Sequence, residues 1–230
     1  RVCVGLSGGR DSVALLHLLA VIRAQAPSLE LSALHVHHGL SAQADQWAEF
    51  CKALCHSLDI PFQLAHVEVV GIAEEGLEAA ARRARYAAFA KCDADWLALA
   101  HHRDDQAETL MLNLLRGSGV PGLAAMPEER ALADGLIRLV RPLLTMARRD
   151  IEHWLNERRL TWIEDESNAD IRLRRNYLRS KILPLLAQHF PEPAVSLGRA
   201  ATHLAEHAAL AEEIAEVDAA GLVDGQSIQL

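Results

Sequence analysis

Ser7-Gly8-Gly9-Arg10-Asp11-Ser12 stands between two apolar stretches of different character. Before it runs Val2-Cys3-Val4-Gly5-Leu6, short and β-prone; after it runs Val13-Ala14-Leu15-Leu16-His17-Leu18-Leu19, which reads as helix. A strand, a glycine turn and a helix N-terminus in succession present backbone N–H groups and the positive end of a helix dipole to an anion. Glycines let the backbone approach phosphate oxygens closely, and the Ser7 and Ser12 hydroxyls add hydrogen bonds. The segment predicts nucleotide binding over Ser7, Gly8, Gly9, Arg10, Asp11 and Ser12. It is not a Walker A loop, which needs a lysine before its final Ser/Thr, nor a G-x-G-x-x-G dinucleotide turn. A carboxylate beside phosphates repels them unless a cation bridges the two, so Asp11 implies Mg²⁺. The alternative is a serine-glycine turn followed by an Asp/Ser helix cap.

Outward from the loop, the first half of the chain alternates strand and helix. Strands are predicted at 2–6, 31–37, 62–69 and 96–101, and helices at 11–25, 43–58, 76–92 and 104–116. Such alternation indicates βαβ units and an α/β fold with a doubly wound parallel sheet. Ligands of these sheets gather at the carboxyl ends of the strands, which collects residues 7–12, 37–40, 101–108 and the glycine-rich tip 117–122. After about residue 140 the pattern turns helical, at 146–159, 176–189 and 193–219, with a polar link at 164–168. The expected organisation is a catalytic domain over 1–185 and a helical C-terminal extension over 186–230, in which 221–230 read as the start of another element.

The 230 residues are 50% hydrophobic and 23% charged, an ordinary globular composition. No apolar run is long enough for a membrane span and no signal peptide is visible. Arg1 already adjoins the first strand, so a piece of a longer product is expected. Cys3, Cys51, Cys55 and Cys92 form no C-x-x-C pair and read as free thiols, which favours a cytoplasmic setting. The net charge of −8 argues against a general nucleic-acid binder. Yet Arg172, Arg174, Arg175, Arg179 and Lys181 fall within ten residues free of acids, which fits a local phosphate contact.

Two further constellations carry chemistry. In His101-His102-Arg103-Asp104-Asp105-Gln106-Ala107-Glu108-Thr109, Asp105 and Glu108 are spaced to share a helix face. They could hold Mg²⁺ or accept a proton from an amine; a D-x-x-E capping box is the alternative. Glu78, Arg82 and Arg85 lie along one helical stripe, either as a solvated ion-pair ladder or with an arginine aimed at a phosphate or base. His35, His37, His38, His101 and His102 suggest zinc only weakly, since strand-end histidines usually bond to backbone.

Together these patches resemble the tRNA(Ile)-lysidine synthases, within the PP-loop superfamily of N-type ATP pyrophosphatases. The matching pieces are SGGRDS at 7–12, His35-Val36-His37-His38-Gly39-Leu40, Glu78-x-x-Ala81-Arg82-x-x-Arg85-Tyr86 and Ala100-His101-His102-x-Asp104-Asp105-Gln106-x-Glu108-Thr109. Arg116-Gly117-Ser118-Gly119 with Gly122-Leu123, Arg141-Pro142-Leu143, Asp165-x-Ser167-Asn168 and Arg175-Asn176-x-x-Arg179 follow in order. Each is weak alone; the ordered set is specific. Two departures stand out: His37 occupies a position that is usually Asn, and family members often carry further C-terminal domains that grip tRNA.

The resemblance implies an adenine nucleotide alpha hydrolase-like fold and an ATP-dependent ligase. ATP would adenylate the C2 oxygen of the wobble cytidine in an isoleucine tRNA with a CAU anticodon, releasing pyrophosphate. The ε-amine of free lysine would then displace AMP. On this reading Asp11 holds Mg²⁺ and the loop holds ATP. Asp105 and Glu108 take the lysine and its proton, and Arg82 contacts substrate or phosphate. Arg85, Arg172, Arg175 and Arg179 contact tRNA. No membrane partner is expected, and oligomeric state stays open, a homodimer being one arrangement. The rivals are a tRNA cytidine 2-thiolation enzyme of the same superfamily, whose relatives use C-x-x-C pairs that this chain lacks, and a non-catalytic ATP-binding module.

Overall fold

The computed structural model describes residues 1–132, 135–219, 223–224 and 227–228. The chain divides into two compact units, one of residues 1–102 with 128–168 and one of residues 103–127 with 169–230.

The first unit is built on a six-stranded sheet. Its strands are β1 (Val2–Gly5), β2 (Leu31–His37), β3 (Phe62–His66), β4 (Trp96–Ala98), β5 (Glu129–Leu132) and β6 (Ile137–Val140), in the order β3-β2-β1-β4-β6-β5. All neighbours pair in parallel except β5, which runs antiparallel to β6 at the edge. Four strands fall where the sequence places them. The β5–β6 hairpin does not appear in the sequence reading, because β5, Glu-Arg-Ala-Leu, has no buried position and β6, Ile-Arg-Leu-Val, is interrupted by a charge. Helices α1 (Arg10–Gln25), α2 (Ala44–Ser57), α3 (Ile72–Glu75), α4 (Leu77–Phe89) and α7 (Arg148–Glu157) complete the unit.

The sheet is covered on both faces, as its apolar central strands require. Consecutive residues of β1 serve opposite cores: Val4 packs with Val13–Leu16 of α1, Cys51 and Cys55 of α2, and Ile151 and Leu155 of α7. Cys3 packs instead with Leu34, Leu97, Leu139 and with Phe89 of α4. This is the doubly wound arrangement, and it sets the carboxyl ends of β1, β2, β4 and β6 along one edge.

The second unit is helical. It contains α5 (Arg103–Leu115), α6 (Val120–Leu123), α8 (Arg174–Tyr177), a π-turn (Leu178–Ile182), α9 (Leu183–Ala187) and the long α10 (Pro193–Ala219). Helix α10 packs on α5 and α6. Of the element expected at 221–230, β7 (Val223–Asp224) pairs antiparallel with β8 (Ser227–Ile228), and the remainder lies outside the described residues.

Candidate active site

The loop after β1 is rigidly built. Gly8 has φ +85, and a Cβ there would stand 2.5 Å from Cδ1 of Ile163. Only glycine takes that conformation without strain. Ile163 straps the loop from outside the sheet: its N–H donates to the Gly8 carbonyl at 2.9 Å, and Gly9 and Ile163 form a parallel bridge. From below, buried His35 contributes Nδ1 at 2.8 Å from the Leu6 carbonyl oxygen, and Cys51 Sγ lies 3.5 Å from the same nitrogen. Burial pushes the His35 imidazole down, so it stays neutral and Nδ1–H donates to the Leu6 carbonyl. This histidine bonds to backbone, as the sequence reading favours.

The serines bond within the loop. Ser12 Oγ donates to the Gly9 carbonyl at 2.9 Å and accepts from the Ser7 N–H at 3.2 Å, and the two hydroxyls are 3.0 Å apart. Gly9 is the N-cap of α1 in extended conformation, and no side chain caps the helix. At the cap itself the Gly9 N–H donates to the Ser7 hydroxyl at 3.3 Å.

Asp11 stands in that first turn. Its Oδ1 accepts from Arg10 Nε at 2.9 Å, and its Oδ2 lies 3.6 Å from Nε2 of His102, a residue 2% exposed. Burial alone would raise the Asp11 carboxyl, but His102 and Arg10 outweigh it and hold it at about 2. The group is an ionised carboxylate at physiological pH, a hard oxygen donor of the kind Mg²⁺ takes from protein alongside phosphate oxygens. The sequence reading does not identify His102 as the partner of Asp11; its only signal is its place beside a strand's carboxyl end.

In the helical unit Asp105 and Glu108 are brought together as their spacing requires, and two arginines meet them. Glu108 is fully buried; its Oε1 accepts from Arg179 Nε at 2.6 Å and its Oε2 from Arg175 Nε at 2.7 Å. Arg175 Nη2 also reaches Asp105 Oδ1 at 3.2 Å. With both Glu108 oxygens bonded to guanidiniums, the pair does not form the capping box. Arg175 and Arg179, four residues apart, share one face of this segment, whose π-turn carries a bond from the Ser180 hydroxyl to the Asn176 carbonyl at 2.7 Å. Asn176, buried, ties this segment to the Asp170 carbonyl at 3.0 Å. Arg172, assigned to tRNA with them, lies on the surface paired with Asp170 at 2.8 Å.

Arg82 and Arg85 both lie on α4. No ion pair to Glu78 is formed by Arg82; its guanidinium sits 4.8 Å from the Tyr86 ring centroid and donates to Tyr86 Oη at 3.2 Å. Arg85 is close enough to His38, at the end of β2, to depress that imidazole after burial has done so. His37 Nε2 meets Asp45 Oδ1 at 2.9 Å. All four cysteines are buried, and burial pushes the Cys51 thiol up to about 12 and the Cys55 thiol up to about 11. These are core thiols.

Comparison with known proteins gives a consistent result. Residues 1–186 match the family described as a PP-loop domain. The tRNA(Ile)-lysidine synthase of Chromobacterium violaceum is 51% identical over 215 residues, covering 94% of this chain and 49% of that protein. The protein of the same name from Nitrosomonas europaea is 49% identical, covering 95% of this chain and 48% of its own length. The chain thus spans about half the length of the curated relatives it matches. Among solved structures, the U34-tRNA thiolase NcsA from Methanococcus maripaludis with its [4Fe-4S] cluster superposes with a TM-score of 0.73 at 20% identity. That superposition covers 90% of this chain and 72% of the thiolase, and it bears on the fold alone.

Proposed function

The chain belongs to the PP-loop domain family, and from that premise we propose that it catalyses lysidine formation on the wobble cytidine of an isoleucine tRNA with a CAU anticodon. The observation that carries this reading is the loop at 7–12: a glycine-built anion cradle with an ionised carboxylate, Asp11, in the first turn of α1. The half-length identity to lysidine synthases supports the choice of substrate over other members of the superfamily. The four core cysteines speak against the cytidine 2-thiolation alternative.

The chemistry assigned to the residues is as follows. Loop N–H groups bind the phosphates of ATP, and the Ser7 and Ser12 hydroxyls rotate from their bonds within the loop to donate to them. When bound at Asp11, Mg²⁺ neutralises charge on those phosphates. His102 and Arg10 keep Asp11 ionised for that task. A ring carbonyl oxygen is a poor leaving group, and adenylation converts it into one that departs as AMP. Free lysine, with an ε-amine pKa of about 10.4, arrives as an ammonium and must lose a proton before it attacks. Of the two carboxylates, Asp105 has a side chain 12% exposed and Glu108 one fully enclosed. We assign the amine to Asp105, and to Glu108 the buried counter-charge that holds Arg175 and Arg179. Arg82 and Arg85 are assigned to substrate and phosphate, in a cytoplasmic enzyme.

The test is incubation with ATP, Mg²⁺, radiolabelled lysine and a CAU-anticodon isoleucine tRNA. Label in the RNA, with AMP and pyrophosphate as products, is the expected result. ADP and inorganic phosphate as the main products would remove the chain from this class.

A further inference from the structure

A shallow groove of about 440 Å³ on the sheet unit is lined by Ala79, Arg82, Arg83 and Tyr86 of α4 and by Arg130 and Leu132 of β5. Two guanidiniums stack on one phenol ring: Arg82 at 4.8 Å and Arg130 at 5.0 Å from the Tyr86 centroid. A third, Arg141, is 2% exposed and interacts with the same phenol, within electrostatic reach of both Arg82 and Arg130. Three cations converge on a single neutral ring, and no carboxylate is among the lining residues. Glu75 pairs with Arg83 at 2.8 Å and Glu129 with Arg138, while Glu78 on α4 and Glu128, whose carbonyl accepts from the Arg141 N–H, are also nearby. Like charges gathered this way repel one another, and an anion between them relieves that repulsion.

The groove has a definite place in the fold. Arg141 directly follows Val140, the last residue of β6. Residue Glu129 at the start of antiparallel β5 pairs with Val140. Arg130 and Arg141 therefore stand at the carboxyl edge of the sheet, the edge from which the loop at 7–12 emerges. A guanidinium fork matches two phosphate oxygens at once, and its plane, already stacked on tyrosine, offers a face to a nucleobase.

We propose that the Arg82–Tyr86–Arg130 groove binds a phosphodiester of single-stranded RNA, with the adjacent base laid against the arginine–tyrosine stack. The proposal rests on the reading of the chain as an RNA-modifying ligase only for the identity of the phosphate's owner. The ring fixes the guanidiniums in advance, so ordering them costs little on binding. Arg130 sets the phosphate contact from the edge strand. Arg141 supplies a buried charge that solvent screens weakly.

The test is fluorescence anisotropy of the chain with a labelled 17-nucleotide RNA hairpin, about the size of an anticodon stem-loop, whose loop contains CAU. Arg130→Gln and Arg138→Gln are compared across a salt series, with circular dichroism to check folding. Both arginines are exposed on the same hairpin, but Arg138 lies outside the groove and pairs with Glu129. Arg130→Gln is expected to weaken RNA binding about tenfold at low salt and to flatten the slope of log K against log salt by about 0.7, with Arg138→Gln near wild type. Equal losses from both variants would reduce the groove to general electrostatics and overturn the proposal, as would no binding of the hairpin by the wild-type chain. Loss of pyrophosphate or ATP affinity in Arg130→Gln, with RNA affinity unchanged, would assign the groove to the nucleotide and overturn it too. Lysine transfer is scored separately: a groove effect without lysine in RNA leaves the groove standing and rejects the ligase reading, and the converse rejects the groove alone.

Discussion

At the scale of single residues, Gly8 and Asp11 set the terms of the candidate site. Gly8→Ala combines a left-handed φ with a Cβ 2.5 Å from Ile163. The expected cost is about 1–3 kcal/mol, seen as a lower melting temperature together with weaker ATP binding. Gly9→Ala, at φ −72 with Ser7 Oγ no closer than 3.4 Å, is expected to melt near wild type, so the pair separates backbone strain from mere loss of a glycine. Asp11 lies below its unfolded value, so its contribution to stability is present above about pH 4 and fades as pH falls toward 2. A depression from 3.8 to about 2 corresponds to about 2 kcal/mol. Denaturant titrations at pH 5 and pH 2.5 should show a steeper acid loss in wild type than in Asp11→Asn. The same variant is expected to abolish Mg²⁺-dependent pyrophosphate release with its fold intact; release at the wild-type rate would make Asp11 a helix cap only.

At the scale of elements, α5 and the turn at 174–182 act as one device. Charge density alone suggests that Arg175 and Arg179 face tRNA, but their guanidiniums are engaged with a carboxylate fully removed from water. Removing one partner leaves Glu108 with half its compensation. Arg175→Ala is expected to destabilise the chain by about 3 kcal/mol, read as a fall in the denaturation midpoint. An effect confined to tRNA affinity, with the midpoint unchanged, would return Arg175 to the RNA surface. Glu108→Gln is expected to slow lysine transfer while adenylation persists, because the arginines lose the charge that orders them beside Asp105. Equal loss of both half-reactions would point to a metal role for the two carboxylates.

At the scale of the whole molecule, charge limits how RNA is held. The chain carries a net −8, and much of its main basic tract is internally committed: Arg172 to Asp170, and Arg175 and Arg179 to Glu108. One phosphodiester held in the groove at Tyr86 would give a salt slope of only about −0.7 on single-stranded RNA. The chain is therefore expected to bind tRNA weakly and with shallow salt dependence. Under the same titration the Chromobacterium violaceum relative, about twice as long, should bind more tightly and with a steeper slope. Equal affinity and slope in the two proteins would contradict that expectation.

Local signals were enough for the loop and for most of the sheet. Strand, glycine turn and helix are encoded by neighbours in the chain, so Ser7–Ser12 could be read directly, as could β1 to β4 from their apolar runs. The spacing of Asp105 and Glu108 likewise sets them on one helix face whatever surrounds them. What needed the tertiary structure were the partners, because a partner is chosen by contact between segments far apart in sequence. Nothing near Asp11 announces His102, nothing near Gly8 announces Ile163, and the acid-free run at 172–181 looks solvated until Glu108 is found buried against it. The β5–β6 hairpin escaped for a related reason: its charged, half-exposed residues carry little pattern of their own, and pairing of β6 with β4 and of β5 with β6, rather than local propensity, makes them strands. Arg82, Arg130 and Arg141 are scattered over sixty positions, and only the packing of α4 against the hairpin gathers their charge around one tyrosine.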